Sequence, residues 1–191
     1  MTECSTICVF CGSSIRVDQV YRETAKEMGR IIGEARIDLV YGGGRVGLMG
    51  LVADAALSAG SRVTGIIPQF LKEREVDHPL LDELIITENM HTRKQLMYER
   101  ANAFVSLPGG FGTFDETIEV LTWSQLGLLA KPIILVNVKG YWDPFVSLVR
   151  HAVDEGFTQT KHTEIMSVVD APAGVLPLVG NQTTISPQIQ I

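Results

Sequence analysis

The chain has 191 residues, 46% of them hydrophobic and 20% charged, with a net charge of −6. That length fits one domain with a substantial core, and the acidic balance leaves no basic surplus for sequence-independent nucleic-acid binding, although a local anion site needs only a few amides and a cation. The opening M-T-E-C-S-T-I-C-V-F-C lacks the basic start and apolar run of a signal peptide, and no stretch approaches the ~18 apolar residues of a membrane-spanning helix.

In chain order, Thr6–Cys11 reads as a strand ending at Gly12-Ser13-Ser14. Cys4, Cys8 and Cys11 cluster here. Cys8 and Cys11 form a C-x-x-C, but residues three apart on a strand point to opposite faces, and no second pair completes a zinc site. The expectation is buried, reduced thiols in a reducing compartment, the cytoplasm. Asp18–Ala35 has apolar residues at helical spacing. Ile37–Tyr41 is a second strand, ending in Gly42-Gly43-Gly44. Leu48–Ala59 is a helix of small apolar residues, suited to close packing, and Arg62–Ile67 is a third strand halted by Pro68.

Residues 69–83 are charged and irregular and read as a loop. Leu84–Thr87 is a short strand, Met90–Ala101 a helix, Ala103–Leu107 a strand and Gly112–Leu129 a long helix. Pro132–Val138 is a strand, Asp143–Glu155 a helix, Ile165–Val169 a last strand and Ala171–Val179 a short helix. Continuous apolar strands alternating with helices predict a Rossmann-like α/β fold, a doubly wound parallel sheet with helices on both faces. One domain is expected over residues 1–180, with a polar tail at 181–191.

In such a sheet, ligands bind beyond the carboxyl ends of the strands. Three strands end there in small residues: Gly12-Ser13-Ser14, Gly42-Gly43-Gly44 and Pro108-Gly109-Gly110. Glycine lets a ligand approach main-chain N–H groups, and a helix start adds free donors and partial positive charge, so together they cradle phosphate. Gly109-Gly110-Phe111-Gly112-Thr113 leads into a long helix, and the Thr113, Ser13 and Ser14 hydroxyls can add donors. Tight strand-to-helix turns would also account for one such loop; two on one rim favour the anion reading. No G-K-[ST] follows, so this is not a P-loop. Gly42, Gly44 and Gly47 satisfy G-x-G-x-x-G, but residues 62–67 (R-V-T-G-I-I) lack the expected acid. A ligand with one phosphate fits better than a dinucleotide.

Charges on the helix from Met90 break its pattern. Met90, Met97 and Ala101 mark a core-facing line, and Arg93, Lys94 and Arg100 fall on or beside it. Buried cations need partners. They either snorkel to solvent or line a polar cavity. Asp115 and Glu116 begin the next long helix, where the dipole favours acids. Glu116 also shares a face with Val120 and Trp123, while Phe114, Ile118, Leu121, Leu126, Leu128 and Leu129 occupy the other sides. A helix with no solvent face suggests a second subunit. A phosphate cradle, a carboxylate and an arginine on one rim suggest cleavage of a glycosidic bond in a sugar phosphate or nucleotide.

Pro108-Gly109-Gly110-Phe111-Gly112-Thr113-Phe114-Asp115-Glu116 matches the P-G-G-x-G-T-x-x-E motif, and the chain resembles the LONELY GUY family of cytokinin-activating nucleoside 5′-monophosphate phosphoribohydrolases. Cys11–Ser14, Tyr41–Gly44, Gly47–Gly50, Met90–Lys94 and Leu121–Gly127 look like family segments in family order, over roughly residues 6–170. The resemblance implies a homodimer that hydrolyses N6-substituted AMP to free base and ribose 5-phosphate; no metal motif appears in the chain, and no cofactor is expected. It carries catalytic roles onto Arg93 and Glu116, and substrate contacts onto Glu75, Lys94, Gly109 through Asp115, and Thr122. The family more often has Glu where this chain has Asp115, and Val76–Thr87 departs from the plant-like pattern.

The label lysine decarboxylase, which such sequences often carry, normally needs pyridoxal phosphate on a lysine. None of Lys26, Lys72, Lys94, Lys131, Lys139 or Lys161 has a convincing Schiff-base setting. His78, His91, His151 and His162 are scattered, and only His91 adjoins the expected site. Competing readings are a salvage nucleosidase acting on AMP, and a non-catalytic carrier of a phosphorylated ligand such as molybdenum cofactor.

Overall fold

The computed structural model describes residues 4–72 and 78–180. The expected contact Glu75 and the tail at 181–191 lie outside the described residues.

Among the described residues, seven parallel strands form one sheet: β1 (Thr6–Phe10), β2 (Asp38–Tyr41), β3 (Val63–Pro68), β4 (Glu83–Thr87), β5 (Ala103–Ser106), β6 (Ile133–Val136) and β7 (Met166–Val169), in the spatial order β4-β3-β2-β1-β5-β6-β7. The central strands are buried almost throughout, as expected of a sheet covered on both sides. The chain winds outward from β1 to β4, then returns to place β5 on the other flank of β1, in register from Ile7 opposite Ala103 to Phe10 opposite Ser106. The switch point therefore lies between the carboxyl ends of β1 and β5, where a doubly wound sheet opens a crevice.

Helices α1 (Gln19–Glu34) and α2 (Gly47–Ser58) cover one face, and α4 (Met90–Arg100) and α5 (Phe111–Gln125) the other. The small residues of α2 pack where expected: a Cβ on Gly29 or Gly33 of α1 would collide with the Val52 carbonyl or with Ala59. Cys11 and Cys8 fall into the two opposite cores. All three thiols are free. Helix α6 (Asp143–Asp154) lies between β6 and β7, and α7 (Leu176–Gly180) closes the described chain.

Several boundaries differ from the sequence reading: the strand expected over Pro132–Val138 ends at Val136, with a helical turn at Val138–Gly140, and the helix expected over Ala171–Val179 is a turn at Pro172–Gly174 followed by α7. Within the expected loop at 69–83, Gln69–Lys72 forms a helical turn, α3, directly after Pro68. The long helix ends at Gln125 rather than Leu129. Gly127, at φ +73°, takes the left-handed position, its N–H bonds to Ser124 and the Leu128 N–H reaches back to Trp123. That is a Schellman stop, which a glycine makes without the strain of a Cβ.

Candidate active site

The crevice is built where the β1 and β5 turns touch. The Gly12 N–H donates to the Pro108 carbonyl at 3.1 Å. Gly109 lies so close to Thr113 that any Cβ there would collide with the threonine side chain, and the Tyr141 hydroxyl donates to the Gly109 carbonyl. The first turns of α5 are tied to β5 through Thr117, which donates to the Thr113 carbonyl at 2.6 Å and lies 2.8 Å from the Ser106 hydroxyl. The helix start is thus fixed to the sheet from below. Above it, Gly110, Phe111 and Gly112 are exposed, and among the described residues nothing lies within 4 Å of the missing Cβ of Gly110 or Gly112. Among the described residues, no side chain caps this N-terminus, so its free N–H groups and dipole face an open cradle suited to an anion.

The other glycine turn serves a different purpose. Gly42, Gly43 and Gly44 are buried. A Cβ on Gly42 would fall within 3.0 Å of the Arg93 guanidinium, and one on Gly43 would meet Ile67 at 3.2 Å. These glycines make room for Arg93 and for β3 rather than presenting an open cradle. Ser13 and Ser14 are exposed, and the Ser14 hydroxyl accepts the Arg16 N–H at 3.2 Å.

Arg93 enters from α4, which starts because Asn89 caps it by accepting the Thr92 N–H at 3.0 Å. The guanidinium is fixed from three sides. Its Nε donates to the Ile66 carbonyl at 3.0 Å, one terminal nitrogen pairs with Glu116 Oε1 at 2.8 Å, and the other lies against Gly42. Both side chains of the pair are nearly sealed, 9% and 8% exposed. Burial raises the Glu116 pKa above the ordinary carboxylate value; Arg93 opposes that rise and Asp115 adds to it. The sequence placed charges on an inward stripe, and the fold joins them across two helices. Burial also raises the pKa of the nearby Cys8 and Cys11 thiols, so neither is poised as a nucleophile.

Lys94 is buried as well, and its ammonium bridges Asp115 Oδ2 at 3.0 Å and Glu119. Burial works against its charge, but these two carboxylates prevail and raise its pKa. Phe114 is half-buried, its ring edge-on to Phe111 at 6.4 Å and to Trp142 at 5.8 Å.

Other expected residues stand apart. Thr122 is exposed on α5 about 9 Å further along the axis from Glu116, and its hydroxyl donates back to the Ile118 carbonyl. Arg100, expected on or beside the inward stripe, is 40% exposed and pairs with Glu83 at 2.8 Å. His91 is exposed, and His78 is buried against Asp54 at 2.9 Å on a different part of the surface. Among the described residues, no group of three or more His, Cys, Asp or Glu is placed to hold a metal. Sequence reasoning missed Glu119, Tyr98 and the Ile66 carbonyl. The first two were within reach of helical spacing, since Glu119 follows Asp115 by four residues and Tyr98 follows Lys94 by four.

A family model described as possible lysine decarboxylase matches residues 49–179. Cytokinin riboside 5'-monophosphate phosphoribohydrolase LOG2 of Arabidopsis thaliana is 47% identical over 167 residues, covering 87% of this chain and 78% of that protein. Cytokinin riboside 5'-monophosphate phosphoribohydrolase LOG of Oryza sativa subsp. japonica is 46% identical over 166 residues, covering 87% of this chain and 68% of that one. Among solved structures, the molybdenum cofactor binding protein of the phototrophic bacterium Rippkaea orientalis superposes with a TM-score of 0.70 at 21% identity, over 94% of this chain and 96% of the other. That likeness is one of fold.

Proposed function

The chain belongs to the LONELY GUY family of cytokinin riboside 5'-monophosphate phosphoribohydrolases, and from that membership we propose that it hydrolyses the N-glycosidic bond of N6-substituted adenosine 5'-monophosphates, releasing the free base and ribose 5-phosphate. The observation that carries the proposal is the buried Arg93–Glu116 pair one helical turn from the open Gly110–Gly112 cradle.

Glu116 lies four residues past Gly112, about 6 Å along the axis, and helical side chains lean toward the N-terminus. Its carboxylate therefore aims back toward whatever the cradle holds. In this reading the amides of Gly110, Phe111 and Gly112 take the 5′-phosphate. Glu116 stabilises positive charge developing on the sugar and orients a water. The water oxygen bonds to the anomeric carbon as the carbon–nitrogen bond breaks and the electron pair leaves with the base; the water gives up one proton and the base takes one up. Arg93 favours the charged carboxylate, opposing the rise in pKa that burial causes. The reaction calls for no cofactor. Lys94, gripped by two carboxylates that favour its charged form, is the reverse of what a Schiff-base lysine needs.

The finer parts of the reading are a homodimer and a cytoplasmic setting. Ile118, Leu126 and Leu128 are 48%, 61% and 70% exposed at α5 and just beyond it, and a second copy would cover them. Thr122, on the same exposed stripe as Ile118, would then serve the partner's cleft rather than its own. Three reduced cysteines suit a reducing compartment. Among the described residues, no helix is long and apolar enough to cross a membrane.

The test is incubation with AMP and with isopentenyl-AMP, followed by chromatography for free base and a coupled assay for ribose 5-phosphate. Release from the substituted nucleotide, lost in Glu116→Gln, is expected. Equal release from both would make the protein a salvage nucleosidase, and release from neither would leave a carrier.

A further inference from the structure

We infer that Glu119 is a positioning residue for Lys94, holding the ammonium at the rim of the cleft through a relay that ends on the Tyr98 hydroxyl. The inference rests on reading this cleft as a nucleotide site with Lys94 among its substrate contacts.

The two tethers of Lys94 are unequal. The Asp115 side chain is 55% exposed, whereas that of Glu119 is 24% exposed. An exposed pair is screened and weak, while a sheltered, charge-assisted one is stronger. The same oxygen of Glu119 that meets Lys94 also accepts the Tyr98 hydroxyl at 3.0 Å. Tyr98 is 2% exposed, and its ring is held edge-on by Trp123 at 4.8 Å, Phe104 at 5.8 Å and Phe10 at 6.4 Å. Its backbone carbonyl accepts the Lys131 ammonium at 2.7 Å. The phenol is therefore a fixed donor. It fixes Glu119, and Glu119 fixes Lys94.

The position of Lys94 matters because its neighbour in sequence is Arg93 and the neighbour of Asp115 is Glu116. Lys94–Glu119 runs beside Arg93–Glu116 and joins the same two helices, α4 and α5. A lysine is a point charge on a flexible stem. Released from Glu119, Lys94 keeps only the exposed Asp115, or swings toward Glu116 and competes with Arg93 for it. In either case its ammonium leaves the place where it would meet a nucleotide.

A structural tie between α4 and α5 made by the Tyr98–Glu119 hydrogen bond alone would not act through Lys94, and a double-mutant cycle separates it from the positioning role. AMP binding is measured by calorimetry, and base release from isopentenyl-AMP by steady-state kinetics, in the wild type, Glu119→Gln, Lys94→Met and the double variant. Glu119→Gln should weaken AMP binding and raise KM by about tenfold, the size of a lost charge-assisted hydrogen bond, with kcat changed by less than about twofold. In the Lys94→Met background the same substitution should add nothing. Tyr98→Phe, which keeps the ring and removes only the donor, should show part of the loss, about threefold. It also carries the cycle with Lys94→Met if Glu119→Gln fails to fold. Additive losses, unchanged AMP binding, or a fall in kcat alone would overturn the inference. Wild-type protein that binds AMP but releases no base would end the hydrolase reading while the binding cycle still decides the role of Glu119. A wild type that does not bind AMP refutes both.

Discussion

Replacing Arg93 with alanine strips Glu116 of its cation inside a space where the carboxylate is 8% exposed. Breaking one side of a buried pair costs about 3–5 kcal/mol when the remaining charge stays ionised. Glu116 has a way out, because it can take a proton. Burial already raises its pKa above the ordinary 4.5, and Arg93 is the largest influence opposing that rise. Without Arg93 the folded-state pKa climbs further. The sign follows: above pH 4.5 the unfolded chain has released a proton that the folded variant retains, so raising the pH favours unfolding. The contribution is fully present below the unfolded pKa and is lost as the pH rises toward the folded one. The limiting slope is about 1.4 kcal/mol per pH unit. The substitution also leaves the Ile66 carbonyl without its donor and opens a cavity, but these losses do not depend on pH. The double variant Arg93→Ala/Glu116→Gln shares them and lacks the titrating group. Urea unfolding of both from about pH 5 to about pH 8 should show the single variant losing stability relative to the double as the pH rises. Parallel curves would refute the idea that Arg93 compensates a desolvated carboxylate.

Three further outcomes follow from the geometry. Gly42→Ala places a Cβ inside 3.0 Å of the guanidinium and 3.1 Å from the Met49 sulfur; base release should fall by about 100-fold, as expected for a displacement near 1 Å, with unfolding showing a loss of about 1–3 kcal/mol. Arg36 ends α1 in the left-handed region at φ 57°, so Arg36→Gly should stabilise by ~1 kcal/mol and raise Tm by about 2–4 °C, read by calorimetry. Ile118→Glu charges the exposed stripe of α5 and should convert a dimer to a monomer in sedimentation, leaving helical content unchanged in circular dichroism.

What the sequence determined by itself was everything written in local periodicity and local sterics. Alternating apolar runs and helical patterns gave the seven strands, the parallel sheet and the rim where small residues gather, because burial on both faces requires apolar strands. The spacing of Arg93 and Lys94 against Met97, and of Glu116 against Val120, already placed charges among residues that had to be buried. The boundary at Gly127 was also local, and lay in the glycine that allowed a left-handed stop short of Leu129. What only the tertiary structure decided were the partnerships. Arg93 and Glu116 are far apart in sequence, and they meet because the chain crosses from the β4 edge to β5 beside β1. Nothing in the local pattern of either helix encodes that strand order. The two glycine turns look alike as sequence, yet Gly42–Gly44 is filled by Arg93 and β3 while Gly110–Gly112 stays open. Whether a missing side chain leaves room for a protein neighbour or for a ligand depends on what the rest of the fold brings up against it.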